Sequence, residues 1–164
     1  MIYLVRHAHA GDKHAWQGPD GHRPLSAPGI AEAHGLLSRL APFAIGTIVS
    51  SPALRCQQSV AVLAEQRGLP VTLDDRLGVH ADLAATVALL FSAPPDAGIV
   101  LCTHGEVIER LLGALRAGGA PVSPDATWPK GSTWVLATDG ATITAADYLP
   151  PLRTAQSRPD LQAH

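Results

Sequence analysis

Short apolar segments of this chain are followed by side chains that could bind or attack a phosphoryl group, namely Arg6 and His7, Arg55, and His104. Guanidinium groups match phosphate oxygens with paired hydrogen bonds, and the N-terminus of a helix adds free N–H groups and positive potential. A histidine that faces phosphorus can attack it and form a covalent phosphohistidine. These residue types indicate phosphoryl chemistry, provided that the fold brings them together.

A histidine nucleophile has to keep one ring nitrogen unprotonated. Neighbouring arginines disfavour the imidazolium ion through like-charge repulsion. The other ring nitrogen is expected to donate to a backbone carbonyl, which would fix the tautomer. The pattern therefore predicts a neutral imidazole among cations.

The apolar segments have the composition of buried strands, and amphipathic segments lie between them. Strands are predicted at residues 2–5, 47–50, 71–73, 99–102, 134–136 and 143–145, and helices are predicted to begin near Ser26, Ser51, Leu83 and Gly105. This alternation predicts an α/β fold, a three-layer sandwich whose mostly parallel central sheet carries helices on both faces. Since ligands bind at the carboxyl ends of the strands in such sheets, the arginines and histidines should meet there.

The composition is that of one globular domain. The chain has 164 residues, of which 46% are hydrophobic and 16% charged, and this is enough for a single core. A net charge of −2 argues against nucleic acid as a partner. Two cysteines do not make a disulfide scaffold. We expect a domain over residues 1–149 and a flexible tail over residues 150–164, which begins with consecutive prolines.

The chain also lacks the sequence features of a membrane or secreted protein. No apolar run reaches the roughly 18 to 20 residues that span a bilayer, and no basic leader with a cleavage site precedes the first strand. A cytoplasmic location without a membrane partner is expected. The oligomeric state is not predicted.

Three segments resemble the signatures of the histidine phosphatase (phosphoglycerate mutase-like) superfamily. Leu-Val-Arg-His-Ala at residues 4–8 is similar to the first signature, Ser-Ser-Pro-Ala-Leu-Arg-Cys-Gln-Gln-Ser at residues 50–59 to the second, and Thr-His-Gly at residues 103–105 to the third. Their order along the chain makes the resemblance specific, and it extends over residues 1–149. It implies a phosphoglycerate mutase-like fold.

The loop after the first strand resembles the small SixA-type phosphohistidine phosphatase branch. Residues 6–10 read Arg-His-Ala-His-Ala, and Arg-Pro-Leu-Ser follows at residues 23–26. A Trp-x-Gly-x-Asp stretch at residues 16–20 is similar to phosphatase domains fused to some Nudix hydrolases, although this chain has no Nudix box. The larger mutases carry long insertions that this chain lacks.

The resemblance implies a role for each matching residue. His7 would be the nucleophile, and no metal or cofactor would be needed. The residues that would hold the phosphoryl group are Arg6, Arg55 and His104, with Arg23, Gly105 and Ser51 as further substrate contacts.

One position departs from the family pattern. Larger members place a glutamate general acid after the third strand, whereas this chain has Val79. Candidate replacements are His80, Asp82 and Glu106. Because an alkoxide leaving group needs an acid more than phosphate or imidazole does, Val79 predicts a preference for phosphohistidine or anhydride substrates over sugar phosphates of at least about 100-fold in kcat/KM.

Histidines outside the signatures raise the alternative of a zinc site. His9, His14, His22 and His34 lack cysteine partners and clustered carboxylates, which zinc sites usually contain. A polar loop at the mouth of the pocket is the favoured interpretation.

The sequence thus predicts a metal-independent phosphatase that forms a covalent phosphohistidine. Its substrate would be a phosphorylated small molecule or a phosphohistidine protein. The bond cleaved would be that of a phosphohistidine, a phosphoanhydride or a phosphomonoester. A non-catalytic protein that binds a phosphorylated ligand remains an alternative. A mutase-like phosphotransferase is disfavoured because the insertions that would enclose its product are missing.

Overall fold

The computed structural model describes residues 1–94 and 96–154. Its strands are β1 (Ile2–Arg6), β2 (Ile45–Ser50), β3 (Val71–Leu73), β4 (Gly98–Thr103), β5 (Thr133–Thr138) and β6 (Ile143–Leu149). Its α-helices are α1 (Ala27–Leu40), α2 (Leu54–Arg67), α3 (Leu83–Leu90) and α4 (Gly105–Ala117). Strands and helices alternate until the closing β5–β6 hairpin.

The six strands form one sheet in the order β3-β2-β4-β1-β5-β6. β3, β2, β4 and β1 are parallel, whereas β5 and β6 are antiparallel to their neighbours. The predicted fold class, a mostly parallel sheet between helical layers, is confirmed. In the β1–β4 register Arg6 pairs with Thr103, so both strands end at the same edge of the sheet.

The two faces of the sheet carry two separate cores, because side chains alternate along each strand. In β1, Ile2 and Leu4 contribute to the core with α3 and α4. Tyr3 and Val5 contribute to the core with α1 and α2. Helices on both faces thus hold the central strands rigidly.

Local signals determine where the helices begin and end. Ser26 caps α1, since its Oγ accepts a hydrogen bond from the Gly29 N–H at 3.2 Å. Gly68 ends α2 in the left-handed conformation with φ of 64°. The predicted start of α2 near Ser51 was wrong: the Ser51 N–H donates to the Cys102 carbonyl at 2.9 Å, which ties Ser51 to β4, and α2 begins at Leu54.

The chain after β6 runs along α1. The Leu152 carbonyl lies so close to Gly35 that a Cβ atom there would be 1.5 Å from its oxygen. Arg153 donates to the buried carboxylate of Glu32 at 2.9 and 3.0 Å. Of the predicted tail, residues 150–154 are therefore placed against the domain, and residues 155–164 lie outside the described residues. None of the helices in the described ranges is long and apolar enough to cross a membrane.

Candidate active site

The carboxyl ends of β1, β2 and β4 surround a pocket of about 280 Å³. Its lining residues are Arg6, His7, Gly11, Asp12, Lys13, Asp20, Arg23, Arg55, Val79, His104, Glu106 and Lys130. The four residues singled out first from the sequence are all among them. The edge of the sheet therefore brings together side chains that are far apart in the chain.

His7 is buried and held in one tautomer. Its Nδ1 lies 2.8 Å from the Ala8 carbonyl oxygen, which can only accept, so Nδ1 carries the proton and Nε2 keeps its lone pair. Ser59 fixes this loop because its Oγ accepts from the Ala8 N–H at 2.8 Å. The ring centroid of His104 lies 5.4 Å from that of His7. Nε2 is thus the ring nitrogen of His7 whose lone pair is available to attack an electrophile.

Burial lowers the pKa of His7 to about 3; the hydrogen bond to the Ala8 carbonyl opposes this lowering, and the electrostatic effects of His104, Arg55 and Arg6 add to it. From the sequence alone, repulsion from the arginines is the expected cause of the neutral imidazole. In the structure the main cause is the loss of water around the ring. His7 is therefore unprotonated at neutral pH.

Arg6 is anchored at one end of its guanidinium. Its Nη1 donates to the Trp128 carbonyl at 2.8 Å, and among the described residues its buried Nε has no hydrogen-bond partner. Burial lowers the pKa of Arg6, and the nearby carboxylate of Glu106 partly offsets this. The guanidinium is thus held in place with a donor free.

Arg55 is likewise anchored by hydrogen bonds to part of its guanidinium. Its Nη1 donates to the Asp20 carbonyl at 2.9 Å, and its Nη2 lies 3.1 Å from Asp20 Oδ2. Its buried Nε also lacks a partner within residues 1–94 and 96–154. Guanidinium groups bind oxyanions with charge-assisted hydrogen bonds. Because the side chains of Arg6 and Arg55 both line the pocket, together they form a cradle for an oxyanion.

His104 is oriented by two neighbours. Arg55 Nη2 lies 3.3 Å from its Nδ1, and because a guanidinium only donates, that nitrogen accepts. Nε2 then carries the proton and donates to Ser51 Oγ at 2.9 Å. Ser51 is 1% exposed and lies behind His104, so it acts on the pocket through this imidazole. Cys56 Sγ is also close, at 3.7 Å from Nε2.

Asp20 connects two arginines, a role that the sequence analysis missed. Its Oδ1 accepts from Arg23 Nε at 3.0 Å, while its Oδ2 pairs with Arg55. Burial tends to raise the pKa of Asp20, but the hydrogen bond from Arg23 and the charge of Arg55 prevail and lower it. Arg23 itself donates from Nη1 to the Ala10 carbonyl at 2.7 Å. Asp20 is the last residue of the Trp-x-Gly-x-Asp stretch at residues 16–20, and this motif could have indicated its role.

The three candidate acids occupy different places. His80 is exposed, and Asp82 caps α3, with Oδ2 accepting from the Ala85 N–H at 3.1 Å. Neither of them lines the pocket, whereas Glu106 does. Lys130 lines the pocket as well.

The remaining histidines do not converge. His9 Nδ1 lies 2.6 Å from Ser26 Oγ at the start of α1, while His14, His22 and His34 are exposed. Within the described ranges, no group of three or more His, Cys, Asp or Glu side chains is arranged to hold a metal ion. A second depression of about 270 Å³, which Trp16 and Leu25 help to line, adjoins the pocket and shares Gly11, Asp12 and Arg23 with it.

Comparisons with known proteins find a matching family model and a similar curated protein. A family model described as the histidine phosphatase superfamily (branch 1) matches residues 2–78. The 8-oxo-(d)GTP phosphatase of Mycolicibacterium smegmatis is 34% identical over 155 residues, which are 92% of this chain and 48% of that protein. The chain thus spans about half the length of this curated relative.

Solved structures resemble the fold over most of its length. The protein histidine phosphatase SixA in complex with tungstate has a TM-score of 0.73 at 19% identity, covering 88% of this chain and 94% of that chain. SixA from Agrobacterium tumefaciens has a TM-score of 0.70 at 25% identity, covering 92% and 97%. Both structures share the architecture described above.

Proposed function

This chain belongs to the histidine phosphatase superfamily, and we propose that it is a metal-independent phosphatase in which His7 is phosphorylated in each turnover. The observation that carries the proposal is the tautomer of His7. Its Nδ1 is bound to the Ala8 carbonyl, which leaves Nε2 as a nucleophile at the bottom of a cationic pocket.

The reaction proceeds in two displacements at phosphorus. In the first, the Nε2 lone pair forms the N–P bond while the bond to the leaving group breaks, and the leaving group takes up a proton. In the second, water attacks the phosphohistidine, the N–P bond breaks, and orthophosphate is released. Arg6, Arg55 and His104 hold the equatorial oxygens on which negative charge is concentrated.

The cradle supports this assignment because its positive charge is complementary to an oxyanion. The side chains of Arg6 and Arg55 line the pocket together with His7 and His104. Tungstate, the ion bound to the similar SixA structure, is a tetrahedral oxyanion of this kind. We expect it to bind here in competition with substrate.

The substrate class follows from the charges at the rim. Lys13 and Lys130 line the pocket in addition to the three arginines, and they favour a leaving group that is itself anionic. The named relative acts on an 8-oxo-(d)GTP, and the adjoining depression beside Trp16 gives the rest of such a molecule room. We therefore propose phosphoanhydrides of small molecules as substrates. Phosphohistidine and phosphomonoesters are the other substrate classes to assay beside them.

The alternative of a non-catalytic binding protein is disfavoured by the same site. A protein that only binds phosphate has no use for a neutral imidazole with its lone pair directed into the pocket. The phosphotransferase alternative is disfavoured because the chain lacks the long internal insertions of the larger mutases.

The deciding experiment compares His7→Ala with wild type on p-nitrophenyl phosphate, a nucleoside diphosphate and a phosphohistidine peptide. Turnover by His7→Ala should fall below about 1% of wild type, as expected for loss of a covalent nucleophile. An acid-labile phosphoenzyme should be trapped on wild type and not on the variant. His22→Ala, an exposed histidine of the same loop, is the matched control. Full turnover by His7→Ala would refute the proposed function.

A further inference from the structure

We infer that Glu106 is the general acid of this phosphatase, protonating the leaving group as the phosphoryl group moves to His7. The inference rests on the proposed function, since it assigns the proton donor of that reaction. Among the three candidates that the sequence leaves open, the tertiary structure places one in the pocket.

The position of Glu106 is determined by α4. Glu106 lies in the first turn of this helix, two residues after His104, and its side chain is exposed at the rim of the pocket. Its carboxylate is close enough to Arg6 to raise the pKa of that guanidinium, against the larger lowering by burial. Glu106 therefore lies near Arg6 at the solvent-exposed rim of the pocket, where its carboxyl group could reach a bound substrate.

Arg110 links Glu106 to the segment that carries Val79. Its Nε lies 3.3 Å from the Glu106 carbonyl oxygen, and its Nη2 donates to the Val79 carbonyl at 3.1 Å. This bridge holds the first turn of α4 against the loop after β3. Glu106 and Val79 thus lie on adjoining segments, and both line the pocket.

The other carboxylates of the pocket are already engaged. Asp20 pairs with Arg23 and Arg55, and the lower pKa of its carboxyl keeps it ionised. Asp12 Oδ1 accepts a hydrogen bond from the His14 N–H at 2.8 Å within its own loop. Glu106, by contrast, has no side-chain hydrogen bond or ion pair to any described residue.

A single carboxyl group can both donate the proton needed in the first displacement and accept the proton released in the second. Protonated Glu106 gives its proton to the leaving oxygen as the P–O bond breaks and the N–P bond to His7 forms. The resulting carboxylate then takes a proton from the water that attacks the phosphohistidine. Each turnover returns Glu106 to its starting state.

The test measures how the loss caused by Glu106→Gln depends on the leaving group. Phenyl phosphate and p-nitrophenyl phosphate carry the same phosphoryl group, but phenoxide is far more basic than nitrophenoxide. We expect Glu106→Gln to lose about 100-fold in kcat/KM with phenyl phosphate and less than about 5-fold with p-nitrophenyl phosphate. kcat/KM is the quantity to compare, because it includes steps only up to departure of the leaving group.

Glu109→Gln is the matched control, since Glu109 lies on the same helix but is exposed away from the pocket. Equal losses on both substrates, or no loss on either, would overturn the role of Glu106. A leaving-group-dependent loss in Asp12→Asn instead would also overturn it and assign the proton to Asp12. Phosphoenzyme should still be trapped on Glu106→Gln with p-nitrophenyl phosphate. That result would show that His7 acts as the nucleophile, whatever the role of Glu106.

A general acid at Glu106 also changes the substrate preference that Val79 predicts for the wild-type protein. With Glu106 present, phosphomonoesters and phosphoanhydrides should both be cleaved. The gap of about 100-fold between anhydride and sugar phosphate should appear in Glu106→Gln rather than in wild type.

Discussion

A Cβ atom on Gly105 would lie 2.8 Å from Cζ of Arg6. Gly105 is the first residue of α4, and its bare backbone lets the guanidinium lie flat against the start of this helix. The glycine of the third signature is thus needed for space and not for conformational freedom. Arg6 is held from the other side by the Trp128 carbonyl, so it cannot move away without losing that anchor.

Gly105→Ala should therefore impair catalysis more than folding. Displacing Arg6 removes one side of the oxyanion cradle, and we expect kcat/KM to fall by about 10- to 100-fold. Gly113→Ala is the control, because Gly113 is in the same helix and a Cβ atom there would have nothing within 4 Å. That change should leave activity intact and stabilise the helix by about 0.5 to 1 kcal/mol. Activity assays and urea unfolding of the two variants decide the point.

The buried imidazole of His7 predicts a pH dependence of stability. Its pKa is about 3 in the folded protein and about 6.5 in an unfolded chain. Between these values the unfolded state binds more protons, so the free energy of unfolding falls as pH decreases through this window, by up to about 1.4 kcal/mol per pH unit.

Urea unfolding of wild type and His7→Ala at about pH 6.5 and about pH 5 tests this dependence. Wild type should lose about 1 to 2 kcal/mol more than the variant over that interval. Other titrating groups cancel in the comparison because both proteins contain them. Identical losses would show that His7 is not desolvated.

Chelation should leave the reaction unaffected. The proposed mechanism stabilises charge with Arg6, Arg55 and His104 and assigns no step to a metal ion. Hydrolysis of p-nitrophenyl phosphate should proceed at the same rate after treatment with EDTA. A loss of activity that a divalent cation restores would contradict the metal-independent assignment.

Arg153 should stabilise the domain through Glu32. Glu32 is 4% exposed; its Oε2 accepts from the His9 N–H at 2.8 Å and its Oε1 from Arg153. Arg153→Ala leaves half of a buried carboxylate without partners. Since the arginine side chain is 63% exposed, water replaces part of the interaction, and we expect a destabilisation of about 1 kcal/mol.

The control for this change is Arg116→Ala, an exposed residue in the last turn of α4. It should shift the free energy of unfolding by less than about 0.5 kcal/mol. If both variants unfold at the same urea concentration, the segment after β6 contributes nothing to stability.

The fold class and the position of His7 at the edge of the sheet could be predicted from the residues alone. Strand and helix periods are local properties, so β1, β2 and β4 follow from the residues within them. Because parallel strands end at one edge of a sheet, Arg6, His7 and His104 could be placed together without coordinates. The neutral state of His7 was also predictable, although its main cause, burial, was not.

The groups that surround these residues depend on the packing of the whole chain. Asp20 meets Arg55, and Arg153 meets Glu32, through loops whose course no periodic pattern specifies. The choice among His80, Asp82 and Glu106 is of the same kind. His80 and Asp82 come soon after Val79 in the chain, but the irregular backbone there turns them out of the pocket, while the rigid start of α4 holds Glu106 in it. Spacing along a chain predicts contacts inside regular elements, and the packing of one element against another decides the rest.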